Sequence, residues 1–374
     1  MTNDYIGCKI PKLGFGLMRL PMLEKEVDIE QTKTMVDMFL KAGFTYFDTA
    51  YGYIGGKSEE AIKEALVDRY PRESFQLATK LPAWAAKTAE EAREMLQTSL
   101  RRTGAGYFDF YLLHNCGDNR TKAFDDWDLW NFVLEEKAKG TLKHVGFSFH
   151  DKADVLDDLL TKHPEMEFVQ LQINYADWES DSVQARKCYE VARKHGKPVI
   201  IMEPVKGGNL ANVPESVANV FKAADAEVSN SSWAIRFAAS LEGIVTVLSG
   251  MSNIAQMEDN LKTMTGFKPL NEAEQKVIAD AQAALNAIPH IDCTGCQYCV
   301  KGCPMEINIP GIFGNMNTYL IYNNLLGAKG GYGWSTSKGG KASACIECGQ
   351  CEGVCPQHIS IIEELKKATE LLEK

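Results

Sequence analysis

Short apolar runs alternate with amphipathic stretches over residues 1–270. The runs are 13–17 (LGFGL), 44–47 (FTYF), 75–79 (FQLAT), 108–113 (FDFYLL), 144–148 (HVGFS), 168–173 (FVQLQI), 198–202 (PVIIM) and 244–248 (IVTVL). Most are apolar throughout and rich in β-branched or aromatic residues, as strands buried on both faces of a parallel sheet are. Between them, apolar residues at helical spacing predict helices over 29–42, 57–69, 88–103, 126–139, 151–162, 181–195, 229–241 and 253–264. In the second, Ile62, Ala65 and Leu66 share one face, Glu59, Glu60, Lys63 and Asp68 take the other, and Ser58 stands where an N-cap belongs. Strand–helix alternation of this length predicts an α/β protein built as a (β/α)8 TIM barrel. A doubly wound sheet ranks lower, because LGFG at 13–16 lacks the third glycine and the following helix of a dinucleotide fingerprint. One more helix is expected over 271–287, with Asn271 and Glu274 as its capping pair and Pro289 beyond its end.

The pattern changes at about residue 288, which predicts two domains, 1–288 and 289–374. In the second, Cys293, Cys296, Cys299 and Cys303-Pro304 form a run that recurs as Cys345, Cys348, Cys351 and Cys355-Pro356. This spacing is that of a ferredoxin run holding a [4Fe–4S] cluster, and in two-cluster proteins the fourth cysteine of each run serves the other cluster. The rule groups Cys293, Cys296, Cys299 and Cys355 on one cluster and Cys345, Cys348, Cys351 and Cys303 on the second. A zinc site would read as two separated CxxC pairs, and disulfides would need an oxidising compartment. The clusters either carry electrons or brace a small domain. Between the runs, the stretch IPGIFGNMNTYLIYNNLL (309–326) contains helix-forming sequence, whereas Gly327–Gly340 is rich in Gly, Lys and Ser and reads as a mobile loop.

Composition narrows the setting. A formal charge of −10 argues against a nucleic-acid partner. No apolar run approaches a membrane span of about 18 residues. The N-terminal stretch carries no signal-peptide pattern, and exposed clusters with the further thiols Cys8, Cys116 and Cys188 suit a reducing compartment, so a cytoplasmic protein is expected. From residue 289 onward seven Lys face eight Asp plus Glu, so the tail is not a strongly acidic docking surface.

In a barrel of this kind, polar residues just after strands lie on the catalytic face. Asp48 follows FTYF, Lys80 follows FQLAT and His114 follows FDFYLL; Tyr53 stands five residues beyond Asp48. Each alone has a bland explanation as a turn cap, a solvated charge or a core histidine; together on successive strands they point to a site. The stretches PKLGFGLMRLP, FDTAYGYIGGKSEEAIKEAL, ATKLP, FDFYLLHN, VGFSFHD, VQLQINY and VLSGMSNIAQMEDNL, within residues 11–261, resemble the aldo-keto reductase family. With the cysteine tail, the whole chain resembles its bacterial and archaeal branch carrying a C-terminal ferredoxin-like domain.

The resemblance implies an oxidoreductase acting on a small carbonyl compound or an activated double bond, with NADPH or NADH as hydride source. It makes Tyr53 the general acid, Lys80 the cation that lowers the phenol pKa, Asp48 the partner of Lys80, and His114 the group orienting the carbonyl. Tyr51 is the rival acid. Ser148 and Gln170 match the carboxamide-binding positions, and Gly16 to Met18 the ribose side. Ser249, Gly250, Ser252, Gln256 and Asn260 match a phosphate-binding segment at a helix start. That segment holds no Lys or Arg, which leaves NADPH and NADH undistinguished. The position where the family stacks an aromatic ring reads Glu203-Pro204-Val205-Lys206-Gly207-Gly208, which leaves room for a flavin. Trp84, Phe149 and Trp178 lie in loops after strands and either line a substrate pocket or pack within the loops; the pocket reading is favoured for Trp84 and packing for the other two, and a ferredoxin or other redox protein is the expected partner of the tail.

Overall fold

The computed structural model describes residues 2–3, 6–7 and 9–374, so Cys8 lies outside the described residues. They form two compact units: Met1–Glu179 with Val183–Gly207 and Ser231–Gln275, and Ser180–Ser182 with Gly208–Asn230 and Lys276–Lys374.

The first unit is a closed parallel barrel. Its strands are β1 Leu13–Gly16, β2 Tyr46–Asp48, β3 Gln76–Leu81, β4 Phe108–Cys116, β5 Leu142–Phe149, β6 Phe168–Gln172, β7 Val199–Met202 and β8 Ile244–Ser249, each paired with its neighbours in chain order. Tyr46, Ala78, Phe110, Leu112, Phe168, Ile200, Val245 and Leu248 form one apolar cluster among the strands, and Ile10 belongs to it. The opposite strand faces pack in a larger core with residues of the flanking helices, such as Phe39, Leu66, Leu96 and Leu156. Gly146 is needed by contact: a Cβ there would lie 2.4 Å from the Phe168 carbonyl oxygen. The register sets Gly16 and Ala78 beside Asp48, and Ser148 beside Gln170. The ends of successive strands therefore present their side chains on one face.

The helices are α1 Ile29–Lys41, α2 Lys57–Ile62 (continued by a π-turn, Lys63–Val67), α3 Ala89–Thr103, α4 Asp118–Asp126, α5 Leu129–Ala138, α6 Ala153–Lys162, α7 Ala185–Lys194, α8 Glu215–Ala224, α9 Asn230–Ser240, α10 Ile254–Met264 and α11 Glu272–Asn286. The expected Asn271–Glu274 capping pair forms at α11. Helices α4 and α8 are not among those expected from sequence. Each is short and buries little: Thr121 and Phe124 in α4, Val217 and Phe221 in α8. Two details of α2 differ from the expectation. Ser58 does not cap it; its hydroxyl donates to the Leu17 carbonyl at 2.9 Å and bonds the Thr49 hydroxyl at 2.8 Å. Glu59 does not face solvent. It is fully buried, accepting from Thr79 Oγ1 at 2.7 Å and from Arg102 Nη1 at 3.2 Å.

In the second unit the cysteine runs sit with α12 Tyr298–Lys301, α13 Ile309–Tyr322, α14 Leu325–Ser335, α15 Gln350–Gly353 and α16 Ile361–Leu372. Ile307, Ile312, Phe313, Met316, Leu365 and Ala368 form its own apolar core. The segment expected to be a mobile loop from Gly327 is instead mostly helix α14. Asn324 Oδ1 caps it by accepting from Gly327 N at 2.9 Å. Ala328 and Tyr332 are buried, and the Tyr332 hydroxyl donates to Glu373 at 2.5 Å and accepts from Ala342 N at 2.9 Å. Glycine serves close packing here: a Cβ on Gly331 would strike Asn315 Oδ1. Packing has overridden the weak helix propensity of the glycines.

Arg102 also donates to the Tyr51 carbonyl at 3.0 Å, and its guanidinium carbon lies 2.9 Å from where a Cβ on Gly56 would be. It thus ties the loop between β2 and α2 to α3. Arg102→Ala leaves the buried Glu59 carboxylate without its cation and is expected to destabilise the protein by about 2–3 kcal/mol. Urea unfolding of the two proteins checks this; an unchanged midpoint contradicts it.

Candidate active site

Lys80, near the end of β3, is fully enclosed. Its ammonium donates to Asp48 Oδ1 at 2.5 Å, to the Thr49 carbonyl at 2.7 Å and to the Tyr53 hydroxyl at 3.3 Å, and it lies 4.8 Å from the centre of the Tyr53 ring. Asp48 Oδ2 accepts from Gln170 Nε2 at 3.1 Å. His114 completes the group, its ring centre 6.0 Å from that of Tyr53. The backbone delivers Tyr53 by an unusual turn: Ile54, Gly55 and Gly56 have φ of +52°, +65° and +95°, two of them glycines that accept this without strain. Tyr51, the rival acid, is drawn the other way, with its ring under the Arg102 guanidinium at 4.5 Å.

The electrostatics correct one expectation. Burial dominates at Tyr53 and raises its phenol above the usual range; Lys80 offsets this only in part. A net lowering by Lys80, as the resemblance implies, does not result. Lys80 is held above the ordinary lysine range because attraction to Asp48 and Tyr53 exceeds its loss of hydration. Burial also raises the Asp48 carboxyl, with Lys80 and Gln170 working in the opposite direction. His114 is depressed well below the usual imidazole range, first by burial and then by Lys80, so its ring is neutral.

The expected aromatic residues divide. Trp84 is half-exposed and its ring centre lies 5.0 Å from His114. Phe149 is buried in the core, and Trp178 packs on Tyr189 and Phe237. Both therefore pack against neighbouring side chains.

Ser148 and Gln170 are buried neighbours at the ends of β5 and β6; the Ser148 hydroxyl accepts from Asn115 N at 2.8 Å. A Cβ on Gly16 would lie 3.4 Å from the Ser249 carbonyl oxygen, so the β1 and β8 ends run together, while Met18 is exposed. At α10, Gln256 Oε1 accepts from Ser252 N at 2.7 Å, and Asn260 Nδ2 donates to the Gln256 carbonyl at 2.9 Å. Asn260 Oδ1 is buried with no hydrogen-bond partner. Sequence reasoning missed Asn253, which caps α10 by accepting from Gln256 N at 2.9 Å; an Asn three residues before a Gln was the available signal. It also missed Arg19. This side chain donates to the Gly207 carbonyl at 3.0 Å, and its Cδ lies 3.8 Å from a Cβ placed on Gly250. A cation therefore stands beside the segment that has none of its own.

In the second unit, the two runs repeat one backbone path. Left-handed residues fall at Gly295, Gln297 and Glu306 in the first and at the matching Glu347, Gly349 and His358 in the second. These turns fold the cysteines around two apolar cavities. One is lined by Cys293, Cys296, Cys299 and Cys355, the other by Cys303, Cys345, Cys348 and Cys351. Each set of four sulfur donors joins three cysteines of one run to the last of the other, the grouping expected from spacing, and suits a four-iron cluster. No disulfide joins any of the ten described cysteines. Cys116 and Cys188 belong to the first unit and are buried there, and burial pushes Cys188 up to about 12, which makes it unreactive.

A sequence model of the aldo/keto reductase family matches residues 12–282, and one of the 4Fe-4S dicluster domain matches residues 292–360. An L-galactose dehydrogenase of Arabidopsis thaliana is 23% identical over 304 residues, covering 76% of this chain and 93% of that protein. A methylglyoxal reductase of Escherichia coli O157:H7 is 29% identical over 157 residues, covering 41% and 51%. Among solved structures, an aldo-keto reductase of Bacillus halodurans in its holo form superposes with a TM-score of 0.59 at 22% identity, covering 74% of this chain and 93% of that one. One of Klebsiella pneumoniae in complex with NADPH gives 0.59 at 18% identity, with the same coverage. The barrel, the ordered residues at its strand ends and the match over most of the length agree: the chain belongs to the aldo/keto reductase family and carries a 4Fe-4S dicluster domain at its C-terminal end.

Proposed function

We propose that the barrel reduces the carbonyl group of a small molecule, with Tyr53 giving a proton to the oxygen. The observation that carries this is the buried ammonium of Lys80 touching both Asp48 and the Tyr53 hydroxyl. When bound, a nicotinamide would supply the hydride. Ser148 and Gln170 would hold its carboxamide, Gly16 and Met18 its ribose side, and Ser249, Gly250, Ser252, Gln256 and Asn260 its phosphates. Arg19 adds positive charge there, and the NADPH bound to the Klebsiella pneumoniae structure favours that cofactor over NADH. His114, being neutral, orients the carbonyl by a hydrogen bond. As negative charge develops on the oxygen, Tyr53 passes its proton and the Lys80 ammonium stabilises the resulting phenolate. Asp48 keeps Lys80 charged and fixed.

The eight cysteines of residues 293–355 would hold two [4Fe–4S] clusters, which carry electrons one at a time; a ferredoxin or other redox protein is their partner in this reading. Nicotinamide moves electrons in pairs as hydride. Cys348 is the exposed member of its set. If the clusters take part in turnover, Cys348→Ser removes reduction driven by a reduced ferredoxin; turnover with NADPH alone in this variant, at the wild-type rate, assigns the tail a structural role instead.

Tyr53→Phe is expected to abolish carbonyl reduction, a loss of at least about 100-fold in kcat, with iron content unchanged. Turnover retained by this variant removes Tyr53 from the chemistry. Because burial raises the Tyr53 pKa, the donor form persists to high pH. The Tyr53-dependent rate should hold from pH 6 to 9 and fall only above about pH 10. A pH profile of kcat that bends near neutrality on this group contradicts the assignment.

A further inference from the structure

Where β4 meets β5 the ladder slips. Leu113 pairs with Phe147 and Cys116 with Phe149, so β4 advances three residues while β5 advances two. This is a β-bulge, a feature rarely found between parallel strands and often placed beside an active site, where it re-aims a side chain. Leu113 and Cys116 both pack in the larger core that the barrel shares with its flanking helices. The extra residue leaves His114 and Asn115, both half-buried, between them at the end of the strand. Asn115 takes the left-handed conformation, with φ of +60°. Asparagine tolerates this better than most residues, but the surroundings must hold it there.

The bulge is held from two directions. Across the ladder, Asn115 N donates to the Ser148 hydroxyl at 2.8 Å and His150 N to the Cys116 carbonyl at 3.3 Å. From α4, Arg120 Nε donates to the Asn115 carbonyl at 3.1 Å and Arg120 Nη2 to the His150 carbonyl at 2.6 Å. One planar guanidinium therefore clasps the end of β4 to the residue that follows β5. Its place is prepared. Asp151 Oδ2 lies 3.4 Å from Nη2, and a Cβ on Gly117 would strike the guanidinium. The Gly117 backbone is extended, so glycine stands there for space and not for conformation. Thr121 Oγ1 accepts from Gly117 N at 3.1 Å and donates to the Gly117 carbonyl at 2.6 Å, which fastens α4 to the strand end. Helix α4 thus folds Arg120 back onto the strand that it follows.

The clasp matters because of what His114 lacks. Its Nδ1 is buried with no hydrogen-bond partner among the described residues. No bond at that nitrogen fixes the ring, so its direction is set by the backbone it stands on and by packing against Tyr53 and Trp84. We propose that Arg120 is a positioning residue: by holding the bulge, it aims the His114 ring at the substrate carbonyl. The inference rests on the orienting role given to His114 above. Arg120 acts through the backbone of Asn115 and needs no contact with substrate. A misplacement of about 1 Å at a group that orients substrate costs on the order of 100-fold in rate.

Arg120→Met removes the donors and keeps most of the stem. With 4-nitrobenzaldehyde and NADPH, kcat/KM of the holoenzyme should fall at least about tenfold in this variant. The His114 ring signals in spectra of histidine-labelled protein, identified by their loss in His114→Gln, should move as well. Gly117→Ala displaces the guanidinium without removing its charge and should produce the same two changes; it is the variant to read if Arg120→Met does not fold. An unchanged kcat/KM overturns the inference, and so does a fall in kcat/KM with the His114 signals in place. If the wild-type protein reduces no aldehyde but the His114 signals still move in either variant, the reductase reading fails and the positioning of His114 by Arg120 stands.

Discussion

The barrel's chemistry depends on keeping one ammonium in a place where no free ammonium would stay. Lys80 is enclosed by protein, and an isolated charge there would be lost to deprotonation. Asp48 prevents this by direct contact, and Gln170 and the Thr49 carbonyl satisfy the groups left over. Pairs of this kind add little net stability, but removing one partner typically costs about 3–5 kcal/mol because the other is stranded. The pair is better understood as positioning. It fixes a positive charge beside the Tyr53 hydroxyl before any substrate arrives, so no reorganisation is needed when charge develops. The Arg102–Glu59 pair does related work one loop away, anchoring the turn that carries Tyr53.

The second unit solves a different problem. Its core is a modest set of apolar residues centred on α13 and α16. Small domains of this kind commonly rely on metal or covalent bracing. The crossed sets of cysteines would tie the two runs to each other through each cluster. That arrangement serves as a brace whether or not electrons pass through it, so the geometry of the tail alone does not make it a conductor.

Much of this was legible in the sequence. The eight strands announced themselves as buried apolar runs, and spacing alone grouped the cysteines into the same two sets of four that line the two cavities. What was not legible depended on burial and on neighbours far away in the chain. Helix α14 is glycine-rich and becomes a helix because Ala328 and Tyr332 are buried and Asn315 needs the space at Gly331. Glu59 reads as a surface charge until Arg102, 43 residues away, is seen beside it. The Tyr53 pKa moves opposite to what its neighbour alone implies, since loss of hydration cannot be read from a motif. Arg19 lies far in sequence from the Gly250 segment it borders.

The account rests on the barrel moving hydride directly to carbon while Tyr53 supplies the proton. The most direct test is to incubate the anaerobically purified protein with a reducible ketone and NADPH carrying deuterium at both C4 positions, and to analyse the alcohol by mass spectrometry. One deuterium on the carbinol carbon is the predicted result. An alcohol formed without that deuterium would mean that the hydrogen came from solvent after single-electron delivery, and would contradict the account.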